Sequence, residues 1–278
     1  MQNDWLQGET IELPDVNLRV YHRPAEHRDG VAPQWVIFYH GACGNKDLWR
    51  EQYEAFKDYD LVFVDIRGQG ASEMTTDSPP DFWGAVNDID AIYEHFGIDK
   101  AILVGHSWGG NPMQEYTLLN PDRVAGLVII GTWGQHRVRP KGEVIAQKSS
   151  AFIYRFIPWG MMSKMSGKAC SHDPEVRKEV ADGIYSSGRK VFLSLGFSAF
   201  KEVHDIEEYP GNPPMLLVRG SDDFPKSLSK IYEYLESKNP NARQVVIDGV
   251  VHMPMLTATE AFNNALQEFF DQVFKADS

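Results

Sequence analysis

The amino-acid sequence predicts an α/β protein built on a doubly wound, mostly parallel sheet. Short runs of apolar residues recur along the chain, and continuous runs of this length are typical of strands that are buried on both faces. Segments whose apolar residues have helical spacing follow several of these runs, as expected for repeated strand–helix units. One stretch, residues 135–209, contains no convincing strand and interrupts the alternation.

The individual elements follow from these patterns. Seven apolar runs are interpreted as strands, in chain order 16–21, 35–39, 61–64, 101–104, 127–130, 215–218 and 244–247. A helix precedes the fourth run, because residues 82–96 have apolar side chains at helical spacing and Gly97 ends the pattern. The last helix is expected to begin with a capping box at residues 257–260.

Residues 135–209 are predicted to form a helical cap over the sheet, between two core segments at 1–134 and 210–278. The segment Asp173-Pro174-Glu175 indicates the start of a helix, with proline at its first position. Residues 150–166 are rich in aromatic and Met side chains. These side chains either pack against the core or line a pocket.

Composition and charge restrict the class of protein. A chain of 278 residues suits one large domain, or one domain with an insert, and 42% hydrophobic residues are ordinary for a soluble globule. The formal net charge of -12 argues against a nucleic-acid partner or an anionic membrane surface. No segment approaches the roughly 18 apolar residues of a membrane span, and the N-terminus lacks a signal-peptide pattern. We therefore expect a soluble, cytoplasmic protein, and the sequence carries no signal of oligomeric state.

Ser107 is the most informative residue of the chain. It lies in a G-x-S-x-G pattern, Gly105 to Gly109, directly after the strand 101–104. A strand that turns sharply into a helix strains the corner residue, and small residues two before and two after it leave room for the turn. The serine hydroxyl then projects above the free amides of a helix N-terminus. We predict that Ser107 is a nucleophile.

A serine hydroxyl needs a base within hydrogen-bond reach, and the base needs an orienting group. His252 lies in the loop after the last predicted strand, and Asp222 and Asp223 follow the strand 215–218. All of these groups therefore fall at the carboxyl ends of strands, where an open α/β sheet places its ligands. The residues alone leave both aspartates open as the orienting group.

Four motifs in order resemble those of the α/β-hydrolase superfamily. His40–Asn45 resembles its H-G-x-x-G-N oxyanion loop, and Asp65–Ser72 resembles its D-x-R-G-x-G-x-S turn. The serine pattern and the Gly220-x-x-Asp223 segment before His252 complete the set, with the chain order serine, aspartate, histidine. The chain thus resembles a serine hydrolase with a helical cap, over residues 11–275. The resemblance implies an eight-stranded sheet.

The resemblance also implies roles for single residues. Asp223 is the expected acid of the catalytic triad, with Asp222 as its competitor. Pro225 stands closer to Asp223 than the proline of the family pattern stands to its acid. The backbone amides of Ala42 and Trp108 are implied as the oxyanion hole.

The predicted function is hydrolysis of a carboxylic ester, thioester, lactone or similar small carbonyl compound through an acyl-enzyme on Ser107. The partner is a small-molecule acyl substrate, and neither a cofactor nor a metal ion is expected. Candidate pocket residues are Cys43, Trp133, Phe156 and Trp159. Alternatives that use the same triad are C–C bond hydrolysis, perhydrolysis and acyl transfer. A small-molecule receptor on a hydrolase fold is the alternative from another class.

Three other polar residues are expected to be structural. His40 is interpreted as a hydrogen-bonded scaffold histidine, and Asp65 and Arg67 as braces between loops. Cys43 and Cys170 are too few for a disulfide framework, so both are expected to stay reduced. The Cys43 thiol is expected to be buried and inert because no base is evident beside it.

Overall fold

The structure is a computed structural model that describes residues 7–26, 32–133, 156–198, 208–224 and 227–276. In these ranges the chain forms a sheet whose strands are β1 (Glu9–Glu12), β2 (Val16–Arg23), β3 (Trp35–Tyr39), β4 (Asp60–Asp65), β5 (Glu73–Met74), β6 (Ala101–His106), β7 (Val124–Ile130), β8 (Met215–Gly220) and β9 (Ala242–Ile247). The α-helices are α1 (Phe82–Phe96), α2 (Gly110–Leu119), α3 (Trp159–Cys170), α4 (Pro174–Ser198), α5 (Leu228–Lys238), α6 (Pro254–Thr257) and α7 (Thr259–Ala276).

The strand order confirms the predicted doubly wound, mostly parallel sheet. Eight strands form one path in the order β1-β2-β4-β3-β6-β7-β8-β9, and β5 pairs with β2 as a ninth. The pairs from β4 through β9 are parallel, whereas β2 is antiparallel to each of its neighbours. The resemblance implied eight strands, and the described residues form nine. The seven strands predicted from apolar runs omit β1, of which three residues are exposed, and β5, which has two residues, because neither segment is an apolar run.

Neighbouring residues of the central strands face opposite layers of the core. In β3, Val36 belongs to one apolar cluster and Ile37 to the other, and every residue of β3, β4, β6 and β7 is buried. Helices α1, α2 and α5 cover one layer, and α7 covers the other. This burial on both sides is the physical reason why the strands are continuous apolar runs rather than alternating ones.

The last helix begins later than the sequence predicts. Residues 254–257 form the separate short helix α6, and α7 starts at Thr259. The Thr257 hydroxyl donates to the Met253 carbonyl at 2.8 Å, so its side chain satisfies the preceding turn. The predicted capping box at 257–260 is therefore wrong, because Thr257 is itself the last residue of a helix.

Two helices, α3 and α4, lie between β7 and β8 in the predicted cap. Helix α4 begins at Pro174, as predicted, and the Asp173 carboxylate accepts hydrogen bonds from the amides of Glu175 and Val176. Gly188 breaks α4 with φ 82° and ψ 156°, a conformation open essentially to glycine alone. Residues 134–155 and 199–207 lie outside the described residues, so the cap limits 135–209 stay a prediction.

None of the helices in the described ranges combines the length and the apolar character that crossing a bilayer requires.

Arg67 joins the loop after β4 to helix α1 and to the loop before β2. Its Nε and Nη2 donate to the two carboxylate oxygens of Asp88 at 2.8 and 2.6 Å, and its Nη1 donates to Asp15 at 2.8 Å. The side chains of Arg67 and Asp88 are 3% and 1% exposed. A Cβ atom at Gly84 would lie 2.0 Å from the Arg67 Nη1, so glycine is needed for this approach. Arg67 is therefore a brace, as the sequence predicts.

Replacing Asp88 with Ala should leave the buried Arg67 charge with the partly exposed Asp15 as its remaining partner. We expect Asp88→Ala to lower the free energy of unfolding by about 3 kcal/mol, because a buried charge that loses its buried partner is incompletely compensated. Urea denaturation measures this loss. The control is Glu268→Ala, which removes an exposed partner of Arg243 and should cost no more than about 1 kcal/mol. Equal losses in the two variants would contradict the role of Arg67.

Candidate active site

Ser107 occupies the turn between β6 and α2. Its φ of 51° puts it in the left-handed region, which a non-glycine residue adopts at a cost. One turn of 3-10 helix, Ser107–Gly109, links the end of β6 to the start of α2 at Gly110. The serine thus stands at a strained strand-to-helix corner, in the position that the sequence pattern predicts for a nucleophile.

Three glycines permit this corner because the neighbouring backbones come very close. A Cβ at Gly105 would lie 2.4 Å from the Cα of Gly110, and a Cβ at Gly109 would lie 2.2 Å from the His40 carbonyl oxygen. A Cβ at Gly110 would lie 2.2 Å from the Thr132 hydroxyl oxygen. The strands β3, β6 and β7 can therefore bring their carboxyl ends together only if these positions have no side chain.

His252 and Asp223 form a buried hydrogen-bonded pair. The His252 Nδ1–H donates to the Asp223 Oδ1 at 2.9 Å, and the two side chains are 10% and 2% exposed. The Phe224 amide donates to the same carboxylate oxygen at 2.7 Å, which orients it. Because a carboxylate oxygen only accepts, Nδ1 carries the imidazole proton and Nε2 of the neutral ring remains an acceptor. The hydrogen bond to Asp223 thus fixes the ring tautomer that a candidate general base requires.

Asp222 lies apart from this pair. Its carboxylate accepts a hydrogen bond from the exposed His172 Nε2 at 3.0 Å and another from Ser221, and these bonds lower the pKa of Asp222. Of the two adjacent aspartates, the structure therefore places Asp223 against His252 and directs Asp222 towards the loop between α3 and α4. The closer spacing of Pro225 cannot be related to this loop, because Pro225 lies outside the described residues.

The backbone of His252 is held from two sides. Its carbonyl oxygen accepts a hydrogen bond from the His106 Nε2 at 2.9 Å, and its amide donates to the Cys170 carbonyl at 3.0 Å. Burial lowers the pKa of His106 well below its usual value, and the neighbouring His252 lowers it further, so the His106 ring is neutral. Its hydrogen bond therefore positions the loop of His252.

The loop after β3 is held by hydrogen bonds on both sides of Ala42. The His40 Nδ1 donates to the Gly41 carbonyl at 2.7 Å while its Nε2 accepts from the Ile66 amide at 3.0 Å, so His40 is the scaffold histidine that the sequence predicts. The Cys43 amide donates to the Gln69 side chain. The Ala42 amide stays the predicted oxyanion donor of this loop. Asp65 accepts bonds from the amides of residues 46 and 71 and braces the same loop.

A cavity of about 320 Å³ lies over these residues. Ser107, His252, Ala42 and Trp108 all line it. The predicted pocket residues Cys43 and Trp133 line it as well. Burial raises the pKa of the Cys43 thiol to about 12, in agreement with the expectation of a buried, inert thiol.

Phe156 and Trp159 were predicted for the pocket, but they are not among the described residues that line this cavity. The Phe156 side chain is 72% exposed. The Trp159 indole donates to the Tyr185 carbonyl at 3.0 Å and packs edge-on against Phe192, so it is part of the cap. Composition identified an aromatic segment but could not show which of its side chains turn towards the sheet.

Other residues of the cavity wall escaped sequence reasoning. Apolar side chains of the cap contribute much of it: Val180, Ile184 and Phe192. Helix α2 contributes Asn111, and the end of α3 contributes Cys170, whose thiol pKa burial raises to about 12. Residues 180 and 184 lie four positions apart on α4, so the sequence indicates that they share one face of the helix. It does not show what that face covers. Among the described residues, no group of three His, Cys, Asp or Glu side chains is arranged to hold a metal ion.

The geometry can be compared with known proteins. A family model described as "alpha/beta hydrolase fold" matches residues 34–259. The chain belongs to the alpha/beta hydrolase fold family. The predicted superfamily and enzyme class, an α/β-fold hydrolase, are confirmed by this match.

Two relatives span nearly all of this hydrolase. The "Poly(3-hydroxyalkanoate) depolymerase" of Ectopseudomonas oleovorans is 25% identical and covers 95% of this chain and 92% of its own length. The "Putative carbamate hydrolase RutD" of Caulobacter sp. (strain K31) is 32% identical and covers 90% and 93%. A solved esterase from Thermogutta terrifontis has a TM-score of 0.75 at 18% identity, covering 96% of this chain and 97% of that one, which shows a common fold.

Gly131 gives the acid–base pair its space. A Cβ at this position would lie 2.9 Å from both the Asp223 Oδ2 and the His252 Nδ1, and the φ of Gly131 is 56°. We expect Gly131→Ala to displace the pair and to abolish the low-field proton NMR signal of the His252 Nδ1–H. Its backbone strain alone should cost about 1–2 kcal/mol of stability.

The matched control for Gly131→Ala is Gly97→Ala. Gly97 has a similar φ of 64°, but a Cβ there would meet no atom within 4 Å. Gly97→Ala should therefore lose a similar amount of stability and keep the NMR signal. Retention of the signal in both variants would show that the pair does not depend on the missing side chain.

Proposed function

We propose that this hydrolase cleaves a carboxylic ester, or a related lactone or thioester, through an acyl-enzyme on Ser107. The observation that carries the proposal is the 2.9 Å hydrogen bond between His252 Nδ1 and Asp223 Oδ1, in a pair whose histidine lines the same cavity as Ser107. The strained φ of Ser107 supports it, since strain at a corner residue is a common feature of a nucleophile elbow.

The proposed reaction follows from the hydrogen bond between His252 and Asp223, which leaves His252 Nε2 free to accept a proton. His252 Nε2 takes the Ser107 proton as the hydroxyl attacks the substrate carbonyl, and Asp223 stabilises the imidazolium that forms. The tetrahedral intermediate collapses when His252 returns the proton to the leaving group. A water molecule, deprotonated by His252, then attacks the acyl-enzyme and releases the acid.

The oxyanion of the tetrahedral intermediate requires two amide donors. We assign this role to the backbone N–H groups of Ala42 and Trp108, each worth about 3 kcal/mol of transition-state stabilisation. The Trp108 indole supports the assignment because it donates to the Leu195 carbonyl at 2.7 Å and so ties the elbow to α4. We further propose that residues 135–209 act as the cap that excludes bulk water from the cavity.

The relatives favour hydrolysis of a carbonyl that is bonded to oxygen. A poly(3-hydroxyalkanoate) is a polyester, and a carbamate has the same carbonyl–oxygen bond, so the activities that both relatives are named for cleave a bond from the carbonyl to a heteroatom rather than to carbon. The apolar cap residues Val180, Ile184 and Phe192 suit a small apolar acyl chain. This chemistry favours ester hydrolysis over C–C bond hydrolysis, perhydrolysis and acyl transfer.

Removal of the Ser107 hydroxyl tests the nucleophile. Ser107→Ala should reduce the turnover of p-nitrophenyl butyrate on the order of a million-fold. It should also abolish labelling by a fluorophosphonate, while the melting temperature stays close to that of the wild type. Undiminished hydrolysis by the folded variant would refute the acyl-enzyme. A wild-type protein that binds small acyl compounds without turnover or labelling would instead favour a receptor.

The two adjacent aspartates provide a matched pair of variants for the acid. Asp223→Asn should reduce turnover on the order of 10,000-fold, because an amide cannot hold His252 in the required tautomer or stabilise its cation. Asp222→Asn should stay near the wild-type rate, since Asp222 bonds to the exposed His172. Steady-state kinetics with one p-nitrophenyl ester measures both. Losses of similar size would mean that Asp223 is not the acid.

A further inference from the structure

One polar side chain of the cavity wall has no role in the proposed acyl transfer. Asn111 lies in the first turn of α2, four residues after Ser107, and it lines the cavity while being only 7% exposed. An amide is an expensive group to bury without partners, so its place on an apolar wall beside the nucleophile requires an explanation.

The hydrogen bonds of Asn111 leave part of its amide free. Its Nδ2 donates to the Trp108 carbonyl at 3.2 Å, and this is the one side-chain bond that the described part of the chain gives it. An amide has two donors and an oxygen with two lone pairs, so a donor and the acceptor oxygen remain. Either orientation of the amide leaves such capacity for a group inside the cavity.

Other amides near the site are used by the protein itself. Gln114, one turn further along α2, donates to the carbonyls of Gly110 and Trp133 at 3.0 and 3.1 Å, and its Oε1 accepts from Tyr209. The Asn45 Oδ1 accepts from the Asp47 amide and begins a helical turn. The side-chain oxygens of Gln114 and Asn45 thus accept hydrogen bonds from the protein, whereas the structure gives that of Asn111 no such bond within the described residues.

The charged group on the wall is also engaged. Glu179 lies at the rim, and its two oxygens accept from Arg50 at 2.7 and 3.0 Å. In contrast to Gln114, Asn45 and Glu179, Asn111 therefore combines a position near Ser107 with unused hydrogen-bonding capacity. This combination suits recognition of a neutral polar group on the substrate.

The position of Asn111 indicates which part of the substrate it meets. Ser107 and Asn111 line the same cavity, with Ser107 at the strand-to-helix corner and Asn111 in the first turn of the helix that follows. The group that suits Asn111 is therefore a polar group close to the reacting carbonyl, such as a hydroxyl on the second or third carbon of an acyl chain. We infer that Asn111 is a specificity-determining residue that hydrogen-bonds such a hydroxyl, so that the preferred substrates are 3-hydroxyacyl esters. The inference rests on the proposed ester hydrolysis, and the depolymerase relative supports it because the hydroxyl end of a poly(3-hydroxyalkanoate) chain is a 3-hydroxyacyl unit with a free hydroxyl.

The experiment compares two matched esters, p-nitrophenyl 3-hydroxybutyrate and p-nitrophenyl butyrate. The wild type should prefer the hydroxy ester about tenfold in kcat/KM, the size expected of one neutral hydrogen bond. In Asn111→Leu, which has a similar volume, the ratio should fall to about one. Fluorophosphonate labelling of Ser107 shows that the variant is folded with its nucleophile in place.

The control variant is Ser166→Ala, which removes another polar group of the wall, on α3, and should keep the wild-type ratio. Loss of the ratio in Ser166→Ala but not in Asn111→Leu would overturn the assignment. An equal fall of both rates in Asn111→Leu would overturn it too, because it would mean that Asn111 only braces the Trp108 carbonyl.

The wild-type ratio tests the inference even if Asn111→Leu does not fold. A wild type that hydrolyses both esters equally well would overturn the role of Asn111 and leave ester hydrolysis standing. A wild type that hydrolyses neither ester would refute the proposed function and this inference with it.

Discussion

The close approach of three backbones at the Ser107 corner is the constraint on which the site depends. Gly105, Gly109 and Gly110 each stand where a Cβ atom would lie within 2.5 Å of another group. Packing against the ends of β3 and β7 holds Ser107 at a positive φ, because the neighbouring chain segments occupy the space into which the corner could relax. The strain is thus maintained by the close-packed, buried strands of the sheet.

The acid–base pair uses the same device on the neighbouring strands. Gly220 leaves room for the loop of His252, because a Cβ there would lie 2.0 Å from the Val250 carbonyl oxygen. Gly131 leaves room for the Asp223 and His252 side chains themselves. Side chains that are distant in the chain therefore meet where glycines let the loops after β7, β8 and β9 converge. The energy of the buried hydrogen bond then stabilises that convergence.

The helices α3 and α4 contact both halves of this arrangement. The Cys170 carbonyl accepts the amide of His252, and the Leu195 carbonyl accepts the indole of Trp108. These bonds tie the end of α3 to the candidate base and the second half of α4 to the candidate oxyanion residue. Gly188 separates the second half of α4 from the first, which lines the cavity with Val180 and Ile184. Covering the cavity and positioning the reacting groups are consequently linked.

Periodicity and local motifs were sufficient for the mostly parallel sheet and for the positions of Ser107 and His252 after strands of that sheet. Each of these is specified by a short segment: a strand buried on both faces has a continuous apolar run, and a strand-to-helix corner has no room for a side chain at its glycines. Elements without such a local pattern were missed, as with the two residues of β5.

The family resemblance favoured Asp223 over Asp222, but only the tertiary structure brought Asp223 against His252. Only the tertiary structure, too, showed that Asn111 lines the cavity and that Phe156 and Trp159 are not among the described residues that line it. Adjacent aspartates fit one loop equally well, and the choice depends on which carboxylate the loop of β9 can reach. Likewise, the sequence shows which residues of α3 and α4 are apolar. The orientation of these helices over the sheet, however, arises from contacts between segments that are far apart in the chain.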